Sequence, residues 1–219
     1  LKQQTFKGIG WSSIERFSTQ GVSFAVQLVL ARLLTPDDYG VIGMLAIFIQ
    51  LAQVIIDSGF ANALIRKQNC TQRDYSTVFF YNFALSLGIY ILLYLAAPFV
   101  SRFYQTPTIV PLMRWVSITL LFNALSIIPK SILVKRIDFK KQTYISLSSA
   151  LLSGFIGILF AFWGKGIWAL VAQQISLSVC TFILYTAFVN WRPNLIFDKN
   201  IFKELFGFGS KLLISSIIG

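Results

Sequence analysis

The sequence predicts an all-α fold, a polytopic integral membrane bundle of six transmembrane helices with the start of a seventh. Apolar runs of about 20 residues or more recur along the chain, and at 1.5 Å per residue each is long enough to cross a bilayer. Only 12% of the 219 residues are charged while 56% are apolar. A soluble domain carries about 25% charged residues, so one water-excluded core does not account for this composition. The net charge of +11 forms no single patch of the kind that would bind nucleic acid. Instead, fourteen of the 19 Lys and Arg fall at the N-terminus, in linkers 66–74 and 130–141, and from Arg192 onward. Arg32, Arg102, Arg114 and Lys165 fall on the opposite side, and Arg16 lies inside the first run. The positive-inside rule then places the N-terminus in the cytoplasm.

Each element follows from that pattern. Residues 2–34 read as an amphipathic lead-in and the first span, too long and too charged for a signal peptide. Thr35-Pro36-Asp37-Asp38-Tyr39-Gly40 makes a turn, because proline does not sit in a helix interior. The second span is expected over 40–65, roughly 39 Å of helix, with Asp57 its single charge. These two runs read as a membrane hairpin. The third span is expected over 75–97, stopping at Pro98, and the fourth over 111–133, bent by Pro129. The fifth covers 143–163, Gly164-Lys165-Gly166 turns tightly, and the sixth covers 167–191. Trp163 and Trp168 mark the outer interface, Trp11 and Trp191 the inner one.

A polar linker follows, and a seventh run begins near Leu205. Phe202-Lys203 loosely echoes Phe6-Lys7, so a parallel second lobe is expected to begin there. Residues 1–200 thus read as a first lobe and 201–219 as the start of a second. Cys70 and Cys180 are expected at different depths, unbridged, as small packing residues. Ser149, Ser153, Gly157 and Ala161, with Ala150 and Gly154, give the fifth span a small-residue surface for close helix approach.

Charges inside the runs are the candidate chemistry. Glu15, Arg16 and Asp57 each cost about 2.5–3.5 kcal/mol at a helix centre on insertion scales. Arg16 lies twenty residues before Pro36, and Asp57 twenty after Asp37, so a hairpin would set them at one depth. A direct Arg16–Asp57 pair is one expectation, with Glu15 as the rival partner. Two readings stand for these charges: neutralisation near the inner interface with snorkelling, or a cavity open to the cytoplasm. Gln20, Asn82 and Asn123 are weaker cavity candidates, along with Gln27, Gln50, Gln53, Gln173 and Gln174; amides in spans also hold helices together. There is no histidine, no glycine-rich phosphate loop and no acidic cluster with metal spacing, so a soluble-type active site, a metal and a cofactor are not expected.

Leu30-Ala31-Arg32-Leu33-Leu34-Thr35-Pro36-Asp37-Asp38-Tyr39-Gly40, with Gly43-Met44 and Asp57-Ser58-Gly59, resembles the start of bacterial polysaccharide transporters. These are the O-antigen, capsule and exopolysaccharide repeat-unit flippases of the multidrug/oligosaccharidyl-lipid/polysaccharide (MOP) superfamily. Pro129-Lys130-Ser131-Ile132-Leu133, Arg136 with Asp138-Phe139-Lys140, Gly164-Lys165-Gly166-Ile167-Trp168-Ala169-Leu170 and Trp191-Arg192-Pro193 are similar to the same group. The resemblance implies two lobes of helices around a central cavity that opens alternately to either side of the bacterial inner membrane. It implies a transporter and no enzyme, moving an undecaprenyl-pyrophosphate-linked oligosaccharide for lipopolysaccharide or exopolysaccharide export. Arg16 would hold the pyrophosphate, and Glu15 and Asp57 would couple the cycle to H+ or Na+. The expected partners are this lipid-linked glycan, membrane lipid and the polysaccharide polymerase machinery, with the protein a monomer. The alternative is a cation-coupled multidrug antiporter of the same superfamily, with Asp57 or Glu15 binding cationic drugs.

Overall fold

A computed structural model describes residues 2–57, 63–65, 67, 70–198 and 201, with the backbone alone for 2–9, 12 and 13. The helices are α1 (Lys2–Leu33), α2 (Pro36–Asp57), α3 (Gln72–Phe103), α4 (Ile109–Val116), α5 (Ile118–Lys135), α6 (Phe139–Phe162) and α7 (Trp168–Val189). Residues 63–65 are helical too, and no strand occurs among the described residues. The protein is an all-α polytopic membrane bundle. Among the described residues five stretches are long and apolar enough to span: α2, α3, α4 with α5, α6 and α7. α1 has 32 residues, about 48 Å of helix, but falls outside that set. Its Glu15, Arg16, Thr19, Gln20, Ser23 and Gln27 dilute its apolar run. The expected seventh run, from near Leu205, lies outside the described residues.

Several boundaries differ from expectation for local reasons. α2 begins at Pro36 itself, because proline suits the first helical position, where its missing N–H is not needed. Thr35 caps it: the Asp38 carboxylate accepts from the Thr35 amide at 3.0 Å and its hydroxyl at 2.8 Å. A second capping box opens α3, where the Asp74 carboxylate accepts from the amide and hydroxyl of Thr71, each at 2.7 Å. α3 does not stop at Pro98 but continues to Phe103. Proline is tolerated in membrane helices because neighbouring groups satisfy the freed backbone. The fourth run is two helices jointed at Ser117, whose hydroxyl donates to the Met113 carbonyl at 2.6 Å. Between α6 and α7 the chain reverses at Gly164 (φ +68°) and Gly166 (φ +52°), left-handed conformations that favour glycine.

The packing departs from the expected hairpin. α1 packs along α6, and α6 along α7; α5 packs on α7 and α3, and α2 touches α3, α4 and α5. α4 and α5 are therefore central, with 61% of their most apolar window buried against 17% in α2. The small-residue surface of α6 makes the close approach to α1. A Cβ at Gly154 would lie 2.5 Å from Val26 Cγ2 on α1, and one at Gly157 would lie 2.9 Å from Gln173 Cβ on α7. Leu92, Leu95 and Phe99 on α3 and Phe155 on α6 are exposed, as side chains turned to lipid should be.

After α7 the chain straps back over the start of α3. Trp191 Nε1 donates to Gln72 Oε1 at 2.8 Å, and Gln72 Nε2 donates to the Arg192 carbonyl at 2.6 Å. The Asn194 and Asp198 amides donate to the hydroxyls of Ser76 and Thr77. Trp191 also meets Tyr75 and Phe79 edge-on. Buried Ser76 and Thr77 thereby satisfy a strap that makes no ladder of its own. Cys70 and Cys180 are both free, and Lys135 Nζ donates to Cys70 Sγ at 3.0 Å.

Candidate functional site

A cavity of about 380 Å³ opens between α1, α5, α6 and α7. α1 contributes Glu15, Thr19 and Ser23, spaced by four so that they share one face. α6 supplies Ser146, Ala150 and Ser153; α7 supplies Gln173, Leu177, Ser178 and Thr181; α5 supplies Asn123. Its polar lining is hydroxyls and amides with one carboxylate, beside apolar Val26, Ala150 and Leu177, and no cationic side chain lines it among the described residues.

Glu15 is held on one side only. Its Oε1 accepts from Ser146 Oγ at 2.7 Å and from Gln142 Nε2 at 3.4 Å. Gln142 Oε1 is buried and has no donor. Thr19 Oγ1 donates to the Glu15 carbonyl at 2.6 Å, so that hydroxyl is turned onto its own helix. Tyr185, 2% exposed on α7, lies within electrostatic reach of the Glu15 carboxylate.

On the α5 side a chain of amides leads away from the cavity. Asn123 Nδ2 donates to Gln53 Oε1 on α2 at 3.1 Å. Gln53 Nε2 donates to Asp57 Oδ1 at 3.0 Å. Asp57 is exposed, with Lys130 as its nearby cation.

The structure therefore brings together two of the six residues singled out from sequence, Glu15 and Asn123, and links a third, Asp57, through Gln53. Arg16 and Gln20 are exposed on α1 and do not line the cavity. No Arg16–Asp57 ion pair forms among the described residues; Asp57 takes Gln53 as its partner. The reason is the packing, since α1 lies on α6 and not on α2. Asn82 is 1% exposed on α3, lies away from this cavity, and both its amide atoms are without a hydrogen bond. Sequence reasoning passed over Gln142, Ser146, Ser178 and Thr181, and read Ser153 as a packing residue only. The spacing Glu15, Thr19, Ser23 was a readable signal, but the residues facing it from α6 and α7 depend on helix rotation.

A multi-pass helical bundle with a polar, acid-bearing cavity among its helices defines an integral membrane protein whose intramembrane ionisable groups are costly enough to mark candidate sites. The chain belongs to the polysaccharide biosynthesis protein family, whose pattern matches residues 29–219. It is 29% identical over its whole length to the teichuronic acid biosynthesis protein TuaB of Bacillus subtilis, covering 46% of that protein. It is 26% identical to the succinoglycan biosynthesis transport protein ExoT of Rhizobium meliloti, with 96% of this chain and 43% of that protein aligned. It is 25% identical over its whole length to the lipopolysaccharide biosynthesis protein WzxC of Escherichia coli, covering 45% of it. The chain thus spans a little under half the length of these curated relatives. No solved structure matches it.

Proposed function

We propose that this chain is the first lobe of a repeat-unit flippase that carries an undecaprenyl-pyrophosphate-linked oligosaccharide across the bacterial inner membrane by alternating access. Residues 1–200 form that lobe, residues 201–219 begin the second, and the N-terminus is cytoplasmic. The observation that supports this most is the polysaccharide biosynthesis family match over 29–219, with a succinoglycan biosynthesis transport protein among the relatives, on a chain whose first helix sets exposed Arg16 beside cavity-lining Glu15.

On this reading the roles divide by position. Arg16 meets the pyrophosphate, because a guanidinium pairs with phosphate oxygens in a planar, two-pronged geometry. Gln20, one turn along, offers amide hydrogen bonds to the sugar. Glu15, Asn123 and Asp57 form the inner polar system that answers the ion driving the cycle. Asn82 is a reserve of unpaired amide groups that a change of packing around α3 would satisfy. No covalent chemistry is assigned: the protein moves its substrate and does not alter it.

Complementation tests this. The full-length gene is placed in a bacterium lacking its own repeat-unit flippase, and surface glycan and tolerance of cationic drugs are measured together. Restored glycan with unchanged drug tolerance is expected. Raised drug tolerance without glycan would move the protein to the multidrug antiporter branch. Arg16→Ala and Arg16→Glu should each reduce surface glycan to the level of the empty strain while membrane abundance stays normal. Wild-type glycan in either variant would remove Arg16 from the substrate path.

A further inference from the structure

We propose that a second cavity, at the end of α7, is a binding site for one phospholipid of the ethanolamine class. Its phosphate meets Arg192 and its ammonium meets the open end of the helix. The site goes beyond the flippase reading and does not depend on it.

This cavity, of about 640 Å³, is larger than the one that holds Glu15. Phe182, Ile183 and Ala187 wall it along α7, and Asn190, Trp191 and Arg192 stand at its head. Apolar walls along a span with polar groups at its end repeat the order of groups in a lipid, acyl chain below headgroup. Just beyond, the strap leaves Leu195, Ile196 and Phe197 exposed, Leu195 to 93%. An apolar patch of this kind beside the end of a span marks contact with a membrane surface.

The end of α7 is left open where the ends of its neighbours are closed. α3, α5 and α6 each finish with a backbone amide turned back onto the helix. Thr106 donates to the Ser101 carbonyl at 3.1 Å, Asp138 to Leu133 at 3.1 Å and Lys165 to Phe160 at 3.2 Å. Asn190 adopts the left-handed conformation that accompanies such a closure (φ +49°). Yet no amide after it turns back, and the carbonyls of Ala187, Phe188 and Val189 accept no hydrogen bond among the described residues. The chain is drawn away to α3 instead, where Gln72 accepts from the Trp191 indole and donates to the Arg192 carbonyl.

Two unmet needs of opposite sign therefore sit at one cavity head. The last carbonyls of a helix carry its partial negative charge and require donors. Exposed Arg192 makes no ion pair among the described residues, and its guanidinium matches phosphate oxygens in a two-pronged geometry. An anionic lipid would answer Arg192 and leave the carbonyls bare. A choline lipid has the right charges, but its quaternary nitrogen has no N–H to donate. A primary ammonium supplies three donors, and in phosphoethanolamine it is tethered to the phosphate that Arg192 needs. Gln72 already fixes the Arg192 backbone, so binding orders a side chain and not a loop.

The test is native mass spectrometry of the purified full-length protein. Dioleoyl lipids with ethanolamine, choline or glycerol headgroups are added at equal concentration. The wild type should retain one ethanolamine lipid in preference to the other two. Arg192→Gln removes a charge-assisted hydrogen bond and should lower that retention about tenfold. Ala187→Trp, at an exposed position on the cavity wall, should block it by filling the groove, with the thermal unfolding temperature unchanged in both variants. Lys165→Gln, on the turn at the opposite end of α7, should retain the lipid as the wild type does. Equal retention of the glycerol lipid would show that the ammonium is not read, and equal retention of the choline lipid that its N–H groups are not. Either result would overturn the proposal. So would a wild type that retains no lipid, or undiminished retention by folded Arg192→Gln or Ala187→Trp.

Discussion

α1 and α2 are joined by two residues, Leu34 and Thr35, yet they are built on opposite terms. α1 lies against α6 so closely that Val26 occupies the space a side chain at position 154 would need. α2 has open space at Gly40 and Gly43 and turns Ile47, Leu51, Val54 and Ile55 outward. Its connection to the cavity is the Gln53–Asn123 hydrogen bond. In lipid, an apolar side chain gains little by leaving one apolar surface for another, so hydrophobicity does not choose a helix's partner. Close approach at small residues does, and those residues sit on α6. Sequence adjacency decided nothing here: the more apolar helix of the two is the more loosely held.

The largest effect should come from attacking that difference directly. Gly154→Leu places a branched side chain where even a Cβ meets Val26 at 2.5 Å. Overpacking of this kind costs about 1–3 kcal/mol, and a clear drop in the thermal unfolding temperature of the purified protein is expected. Gly43→Leu on α2 meets no atom within 4 Å at its Cβ and should leave that temperature unchanged or slightly raised. Equal effects at the two positions would show that α1 and α2 are held alike.

Most of the fold was legible for the same reason that its packing was not. Five of the six expected spans, and the turns at Thr35-Pro36 and Gly164-Gly166, follow from run length, charge and turn chemistry, which are local. Thr35-Pro36 with Asp38, and Gly164 with Gly166, behave as their types dictate. The small-residue spacing on α6 was legible as a close contact, but the identity of its partner was not, because i and i+4 say which residues share a face and not what that face meets. Arg16 and Asp57 were matched by counting from a hairpin whose helices meet near the turn, where Tyr39 donates to Gln27 at 3.4 Å, but do not pack along their length. Glu15 and Asn123 were legible as polar groups out of place in apolar runs. The serines that meet Glu15 were hidden, since serine in a membrane helix satisfies itself on its own backbone as readily as it lines a cavity.

A middle-sized effect should separate the joint from the helices it joins. Thr35 caps α2: the Asp38 amide donates to its hydroxyl at 3.4 Å, while its own amide and hydroxyl donate to the Asp38 carboxylate. Removing such a cap costs about 1 kcal/mol. Thr35→Ala should therefore speed hydrogen exchange in the first turn of α2 while α1 is unaffected, because α1 is held by α6. Thr35→Ser should behave as the wild type. If exchange rose equally in α1, the two helices would be one cooperative unit and the contrast between them would fail.

The smallest effect concerns the start of α6, the helix on which α1 depends. Asp138 caps it, accepting from the Lys141 amide at 3.2 Å and pairing with Lys141 Nζ at 3.0 Å. Partial burial alone would raise the Asp138 carboxyl, but the hydrogen bonds from Lys141 and the charges of Lys141 and Lys140 outweigh it. They hold the group below the ordinary carboxylate range. A carboxyl whose folded value is depressed stabilises fully above its unfolded value of about 3.9, and that contribution is lost as pH falls through the folded value. Asp138→Asn keeps a competent cap but removes the ionisation. The wild type should therefore unfold at a slightly higher temperature than Asp138→Asn at pH 7, and the two should converge below about pH 4. A gap that persisted at pH 3 would mean that Asp138 acts by shape, not by charge. The anchoring of α1 through α6 would then be independent of pH at this end of the helix.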